Sequence, residues 1–393
     1  MSNHRKSRSP RSSLPRLGII GGGQLGKMLA QQAKQMGLHV SILDPTPQAP
    51  AGQVCDEQIV GAFHDAVQLR ALIERCAVTT YDLEHIDTAA LKIFHEEGHK
   101  LLPAPHLLEI IQDKLAQKET LARHNLPLPV YEKVERPSLE IFSRFGFPLV
   151  QKARLGGYDG RGVVVMRDAK DFAQALPVES TIERAIALEK ELAVMVARDA
   201  AGNIACYPVV EMIFDPRGNL LDLLLAPARV SPHIGRRACE LAIAAVEALH
   251  GVGVFGVELF LSKEEELFVN EIAPRPHNSG HYTIEACVTS QYEQHLRAIL
   301  GWPLGDTSLL RPAAMLNLLG EPGFAGEPIV RGLHEALAIP GLSFHLYGKA
   351  ETRPLRKMGH ATIIGESVEE VLSKTQKAKA LLRIEAESRL VRN

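Results

Sequence analysis

The 393-residue chain has no run of eighteen consecutive apolar residues, so no segment is expected to cross a membrane as a helix. Its five cysteines, Cys55, Cys76, Cys206, Cys239 and Cys287, lie far apart and form no CxxC or Cys/His cluster. That spacing argues against structural zinc or a disulfide frame and fits a reducing cytoplasm. Internal repeats, coiled-coil heptads and the GK[ST] ending of a Walker loop are all absent. The formal charge is only −2, and five cations (Arg5, Lys6, Arg8, Arg11, Arg16) sit in the first sixteen residues without an acid. The remainder is therefore acidic and offers nucleic acid no extended basic surface. The Ser/Arg-rich opening lacks the apolar stretch of a signal peptide, and residues 1–16 are expected to be a disordered leader.

What is present reads as several globular units. Residues 17–112 alternate short apolar runs with helical patterns. Leu17–Ile20, His39–Leu43, Ala77–Tyr81 and Lys100–Leu102 are expected strands, and Leu25, Met28, Leu29, Ala33 and Met36 recur at helical spacing. This is the pattern of a βαβ-type parallel sheet. Residues 106–125 read as one long amphipathic helix. Beyond it, strand-like runs at 147–153, 163–166, 191–197, 204–213 and 220–230 are joined by Gly-rich or Asp-Gly-type turns, which predicts antiparallel pairing. Helices are expected over 234–250 and 283–299, strands over 253–261 and 267–272, and a mixed segment from 306 to the end.

Gly21-Gly22-Gly23-Gln24-Leu25-Gly26 satisfies G-x-G-x-x-G, follows a strand and opens a helix, and Asp44 ends the next strand. Alone, this favours an NAD-binding dehydrogenase. A phosphorylated substrate would use the same glycines and helix N-terminus equally well, so the remainder of the chain has to decide.

Three later segments carry chemistry. Lys152-Ala153-Arg154-Leu155-Gly156-Gly157-Tyr158-Asp159-Gly160-Arg161-Gly162 places four glycines in seven residues between two strands. Such a hairpin loop can fold over phosphates while Lys152, Arg154 and Arg161 supply charge. Next, the strands at 254–261 and 267–272 flank Lys263-Glu264-Glu265-Glu266. If those four residues form the loop, Glu258 lies directly opposite Glu271, and directly opposed like charges repel. A hard divalent cation such as Mg²⁺ on ATP phosphates, with Asn270 adjacent, would relieve that repulsion. Finally, Ala273-Pro274-Arg275-Pro276-His277-Asn278-Ser279-Gly280-His281 leaves the second strand with one Arg, two His and one Asn, read as contacts to an acceptor substrate. A last basic cluster, Lys349, Arg353, Arg356, Lys357 and His360, follows in a turn-rich segment.

On these residues, the chain resembles the ATP-grasp superfamily and, within it, the N5-carboxyaminoimidazole ribonucleotide synthetases, ATP-dependent carboxylases of purine biosynthesis. The resemblance rests on GGGQLG (21–26), Thr80–Glu84, Asp113–Lys118, GGYDGRG (156–162), Val257–Phe260 and NEIAPRPHNSGH (270–281). Lys27 stands where the family usually has Arg, and Asp82-Leu83-Glu84-His85 replaces the commoner Glu-Phe-Glu-Asn. The resemblance implies an α/β ATP-grasp fold, α+β in its later domains. It comprises a Rossmann-like parallel-sheet domain (17–112), an ATP-grasp domain (113–305) with a mobile lid at about 120–185, and a small C-terminal domain (306–393).

It further implies that Lys114 and Lys152 contact ATP phosphates, with the loop residues Gly157, Tyr158, Asp159, Gly160, Arg161 and Gly162 around them. Glu183, Arg184, Ala185 and Ile186 would line the adenine site and Glu191 would hold the ribose. Glu258 and Glu271 would bind Mg²⁺, with Asn270 close by. Gln24, Leu25, Glu84, Arg275, Lys349 and Arg356 would contact aminoimidazole ribonucleotide. Tyr158, Arg161, Arg275, His277 and Lys349 would surround the carboxyphosphate formed from bicarbonate and the attacking amine. A cytoplasmic homodimer is the implied assembly. The sister reaction, formate-dependent glycinamide ribonucleotide transformylation, is disfavoured by Gln24 and by Asn278-Ser279-Gly280.

Overall fold

The computed structural model describes residues 14–157, 162–215 and 220–387. The leader through residue 13 and the loop tip Tyr158, Asp159, Gly160 and Arg161 lie outside the described residues.

The chain opens with β1 (Arg16–Ile20), α1 (Gln24–Gln35), β2 (His39–Asp44), β3 (Glu57–Val60), α2 (Ala66–Ile73), β4 (Val78–Tyr81) and α3 (Thr88–Glu96). The strands form a parallel sheet in the order β3-β2-β1-β4. β3, rich in polar residues, was not legible as a strand. Lys100–Leu102 contributes a single bridge, Thr79 to Leu101, instead of a strand. β2 and β4 flank β1, so the chain reverses direction across the sheet beside β1. The crevice there, beyond the carboxyl ends of β1 and β4, is where open α/β sheets bind ligands. It holds the Gly21–Gly26 turn and Asp82–Glu84.

The expected single helix over 106–125 is two helices, α4 (Pro105–Gln112) and α5 (Lys114–Arg123). Asp113 sits between them in extended conformation, and its carboxylate accepts from the N–H groups of Leu115 and Ala116. The same carboxylate receives the guanidinium of Arg154 at 2.6–2.9 Å, while Lys114 N–H donates to the Arg154 carbonyl at 3.0 Å. An N-cap thus doubles as the anchor that ties α5 to the root of the glycine loop.

A small four-stranded antiparallel sheet follows, from β5 (Tyr131–Val134), β6 (Leu149–Ala153), β7 (Val163–Met166) and β8 (Ser180–Arg184), with α6 (Leu139–Phe145) against it. Its core is its own: Val134, Phe142, Leu149, Met166 and Ile182. The glycine loop joins β6 to β7.

The large antiparallel sheet comprises β9 (Leu188–Arg198), β10 (Ile204–Cys206), β11 (Val210–Asp215), β12 (Leu220–Ala226), β13 (Gly253–Ser262) and β14 (Leu267–Ala273), with α7 (Pro232–Ala248) inserted before β13. α7 buries Ile234, Ala238, Ala242, Ala245 and Val246 against it, a stripe at helical spacing. The expected helix over 283–299 is α8 (Thr283–Ala286) and α9 (Gln291–Leu300), divided by an extended Cys287. The last segment adds β15 (Ala313–Leu319), β16 (Pro328–Arg331), α10 (Leu333–Leu337), β17 (Leu342–Leu346), β18 (Lys357–Ile364), α11 (Val368–Leu381) and β19 (Arg383–Ala386). β15, β18 and β17 extend the large sheet, giving β14-β13-β9-β11-β12-β15-β18-β17 with β10 on β9. The boundary expected at 306 therefore falls within one continuous sheet.

Candidate active site

The carboxylate pair stands where the sequence places it, for a partly different reason. Ser262 N–H bonds to Glu266 O and the Ser262 hydroxyl accepts from Glu264 and Glu266, so the loop is Lys263–Glu265, one residue shorter than expected. Leu261 consequently faces Leu267, and the ladder starts out of step by one. A β-bulge then skips from Leu259–Val269 to Glu258–Glu271, leaving Asn270 as the extra residue and restoring the opposition of the two acids. The bulge also turns Asn270 into the site. Its Oδ1 accepts from Lys152 Nζ at 2.8 Å and its Nδ2 donates to Glu258 at 3.4 Å.

Burial, reinforced by the charges of Glu271 and Glu191, pushes the Glu258 carboxyl up to about 8. Burial would raise Glu271 too, but Lys114, 2.9 Å away, with Lys152 and His277 beyond it, holds it below the usual carboxylate range. Glu271 keeps 47% of its side chain accessible, so the pair opens onto the cleft. Among the described residues no group of three or more His, Cys, Asp or Glu is arranged to hold a metal alone. Two opposed carboxylates and an amide suit a divalent ion whose remaining ligands come from a nucleotide's phosphates and water.

Lysines converge from α5 and β6. Lys118 and Lys152 both reach Glu183, at 3.1 and 3.2 Å, and all three are nearly inaccessible. Burial would raise Glu183, yet Lys152 and Lys118 keep it below its ordinary range. Burial also brings Lys118 down to about 8. The Glu183 side chain is thus engaged in holding two lysines. Lys118 was quoted in the sequence motif but missed as a site residue; its place four residues after Lys114 on one helix was the available signal. Of the neighbouring residues, Arg184 is exposed and turns its guanidinium over the Phe145 ring, 6.0 Å from its centroid. Ala185 and Ile186 are half-buried at the strand end. Glu191 lies on β9 beside Phe260 of β13, and burial pushes it up to about 7.

The acceptor side gathers residues from three distant segments. Arg275 meets Glu84 at 2.7 Å, joining the large sheet to the crevice beside β4. Lys349 Nζ donates to Gln24 Oε1 at 2.8 Å and to the Lys357 carbonyl, and Lys27 Nζ donates to the Tyr347 carbonyl. Leu25 is core, packed with Met28 and Leu29, so it has only backbone to offer a ligand. Arg356 donates to Glu351 O within its own loop. His277 faces Glu258 at 3.8 Å, and Gln291 clamps its backbone from both sides, through His277 N–H at 2.8 Å and His277 O at 2.9 Å. Gly256 is needed beneath it, since a Cβ there would lie 2.7 Å from His277 Cβ. His281 departs from the expected role: it is fully buried, stacks on His360 with ring centroids 4.6 Å apart, and bonds Tyr292. Asn278 is likewise buried. Both shape the turn that presents His277.

The N-terminal glycines also differ from a dinucleotide site. Asp44 accepts from the N–H groups of Gly22 and Thr46, and the Asp82 carboxylate lies against Gly23 and Gly26, where an added Cβ would come within 2.8 and 3.0 Å of Oδ2. The acid that would hold a ribose is already occupied, and the chain's own carboxylate crowds the helix N-terminus.

Three family models match the chain in succession: the ribonucleotide synthetase preATP-grasp domain over residues 14–112, the ATP-grasp domain over 119–292, and the phosphoribosylaminoimidazole carboxylase C-terminal domain over 313–374. The crystal structure of N5-carboxyaminoimidazole ribonucleotide synthetase from Thermotoga maritima superposes with a TM-score of 0.89 at 55% identity, covering 95% of this chain and 100% of that one. The chain belongs to the N5-carboxyaminoimidazole ribonucleotide synthetase family. An Aspergillus clavatus member of the family, solved with ADP and 5-aminoimidazole ribonucleotide, matches at 34% identity and a TM-score of 0.86 over 94% of this chain and 98% of that one. The chloroplastic phosphoribosylaminoimidazole carboxylase of Vigna aconitifolia is 41% identical over 366 residues, 91% of this chain but 65% of that protein. The chain spans about two thirds of the length of such relatives. It has the ATP-grasp ligase architecture of its family, and no helix among the described residues is long and apolar enough to cross a membrane.

Proposed function

We propose that this chain uses ATP and bicarbonate to carboxylate the exocyclic amine of 5-aminoimidazole ribonucleotide, releasing ADP and phosphate. The observation that carries the reading is that the Glu258/Glu271 pair, held with Lys114, Lys152 and Asn270, meets His277 of the segment whose Arg275 reaches Glu84, while Lys349 bonds Gln24 in the crevice that holds Glu84. A bicarbonate oxygen attacks the γ-phosphorus, ADP leaves, and carboxyphosphate results. It breaks down to CO₂ and phosphate, and the amine nitrogen bonds the carbon and releases a proton. Lys114, Lys118 and Lys152 place positive charge where phosphoryl oxygens carry negative charge, with Glu183 orienting two of them. Glu258 and Glu271 would hold Mg²⁺, which when bound neutralises phosphate charge. Arg275 and His277 surround the carboxyphosphate, while Gln24, Glu84 and Lys349 hold the ribonucleotide.

By the family resemblance Tyr158 and Arg161 act on the phosphates, and the β5–β8 sheet, which carries Lys152, is the lid. Closing it would exclude water from a reactive intermediate. The family resemblance extends the proposal to a cytoplasmic homodimer, checked by the mass in solution from light scattering. Formate and glycinamide ribonucleotide are not favoured as substrates. The deciding assay is ADP release with ATP, bicarbonate and aminoimidazole ribonucleotide. ADP no higher than without the ribonucleotide overturns the reading. Glu271→Ala should lower turnover at least 100-fold while the circular dichroism spectrum is unchanged; normal turnover would remove the metal role.

A further inference from the structure

Cys206 and Cys239, separated by more than thirty positions in sequence, meet in the fold. Cys206 ends β10, paired with Val196 of β9, and Cys239 lies on α7, which covers the same sheet. Both sulfurs turn to one point. Cys206 Sγ is 3.5 Å and Cys239 Sγ 3.8 Å from the carbonyl oxygen of Tyr207, to which both thiols donate. Neither is bonded covalently, and both are half-buried.

A second observation concerns access. A cavity of about 560 Å³ opens beside α7, walled by Pro208, Val209, Ile243 and Cys239, with Arg236 at its edge. Cys239 lines it and Cys206 does not. Arg236 is exposed and stands three residues before Cys239, hence on the same face of the helix. The thiolate is the attacking form. The cavity opens Cys239 to a reagent and leaves Cys206 off its wall.

We propose that Cys206 and Cys239 are a dithiol site that reacts with small, carboxylate-bearing disulfides entering this cavity and closes to an intramolecular disulfide. The Cys239 thiolate attacks one sulfur of the reagent, the reagent's S–S bond breaks, and its other half leaves as a thiolate that takes up a proton. Cys206 then gives up its proton, attacks Cys239 Sγ and expels the second half. The protein dithiol loses two electrons and two protons, and one reagent disulfide becomes two thiols. The product staples α7 to β10 across the face of the sheet whose β13 carries Glu258. This inference is independent of the proposed carboxylation.

The test incubates the native full chain with oxidised glutathione, blocks remaining thiols with an alkylating agent, and maps tryptic peptides without reduction. The expected product is a cross-link between peptides 199–217 and 238–263, with no lasting glutathione adduct on either. Cys206→Ser should trap a stable adduct on Cys239, whereas Cys239→Ser should leave Cys206 unmodified at least tenfold longer. A stable adduct on Cys239 in the unaltered chain overturns the proposal, because Cys206 then fails to resolve it. So does a pair of unreacted thiols under conditions that oxidise the denatured chain. The unaltered chain alone decides the matter if a variant does not fold.

Discussion

Asp82 closes the glycine turn from inside. Its carboxylate packs on the backbone of Gly23 and Gly26, and a Cβ at Gly23 would come within 2.8 Å of Oδ2. Burial pushes this acid up to about 6, against the pull of Arg275. The folded chain therefore holds a proton there that the unfolded chain releases near pH 4. The stability this contributes is present below about pH 4 and is lost as pH rises through about 6, a loss of roughly 3 kcal/mol at most. Asp82→Asn keeps an acceptor without the charge. Its melting temperature relative to the unaltered chain should rise between pH 4.5 and 7.5, and a constant difference would remove the assignment. Lys118 poses the complementary case of a buried cation on a buried anion. Lys118→Met leaves Glu183 with Lys152 alone and should cost about 3 kcal/mol, read as a lower urea midpoint at unchanged slope.

At the scale of elements, the β13–β14 hairpin shows how far the sequence could be read. The opposition of Glu258 and Glu271 was legible, but the loop was one residue shorter than its polar run suggested and the bulge at Asn270 compensated. Alternation of side chains does not reveal an extra residue whose place is fixed by Lys152, more than a hundred positions away. The break at Asp113 was hidden for the same reason, since its partner Arg154 is 41 residues on. By contrast α1, α7 and the glycine hairpin were visible because their signals are local. In the tight loop, Glu265 adopts φ +60°, the left-handed conformation that glycine adopts without steric cost. Glu265→Gly should raise stability by about 0.5–1 kcal/mol in urea titrations and leave ADP release unchanged.

The molecule as a whole is bound together by the large sheet. β15 pairs with β12 over Leu223–Ala226, and Asn317 donates to the Leu221 carbonyl. A chain ending at Gly305 would bare that edge together with Leu224, Leu225 and Ala226, all fully buried. Such a chain should elute as aggregate on size exclusion and not as a folded ATP-grasp unit. A compact monomer would contradict the continuity of the sheet. Composition spoke of the cysteines only as scattered, and pairing Cys206 with Cys239 required the return of α7 onto β9 and β10.

The bond from Lys349 to Gln24 spans 325 positions. A ribosome therefore synthesises β1–β4 long before the lysine that bonds Gln24 exists. Until β17 and the loop after it emerge, the nascent chain has glycines and Gln24 in place but no lid of charge above them. On the proposed function, capture of the ribonucleotide waits for the last stage of synthesis, and a prematurely stopped chain lacks the lysine that reaches Gln24.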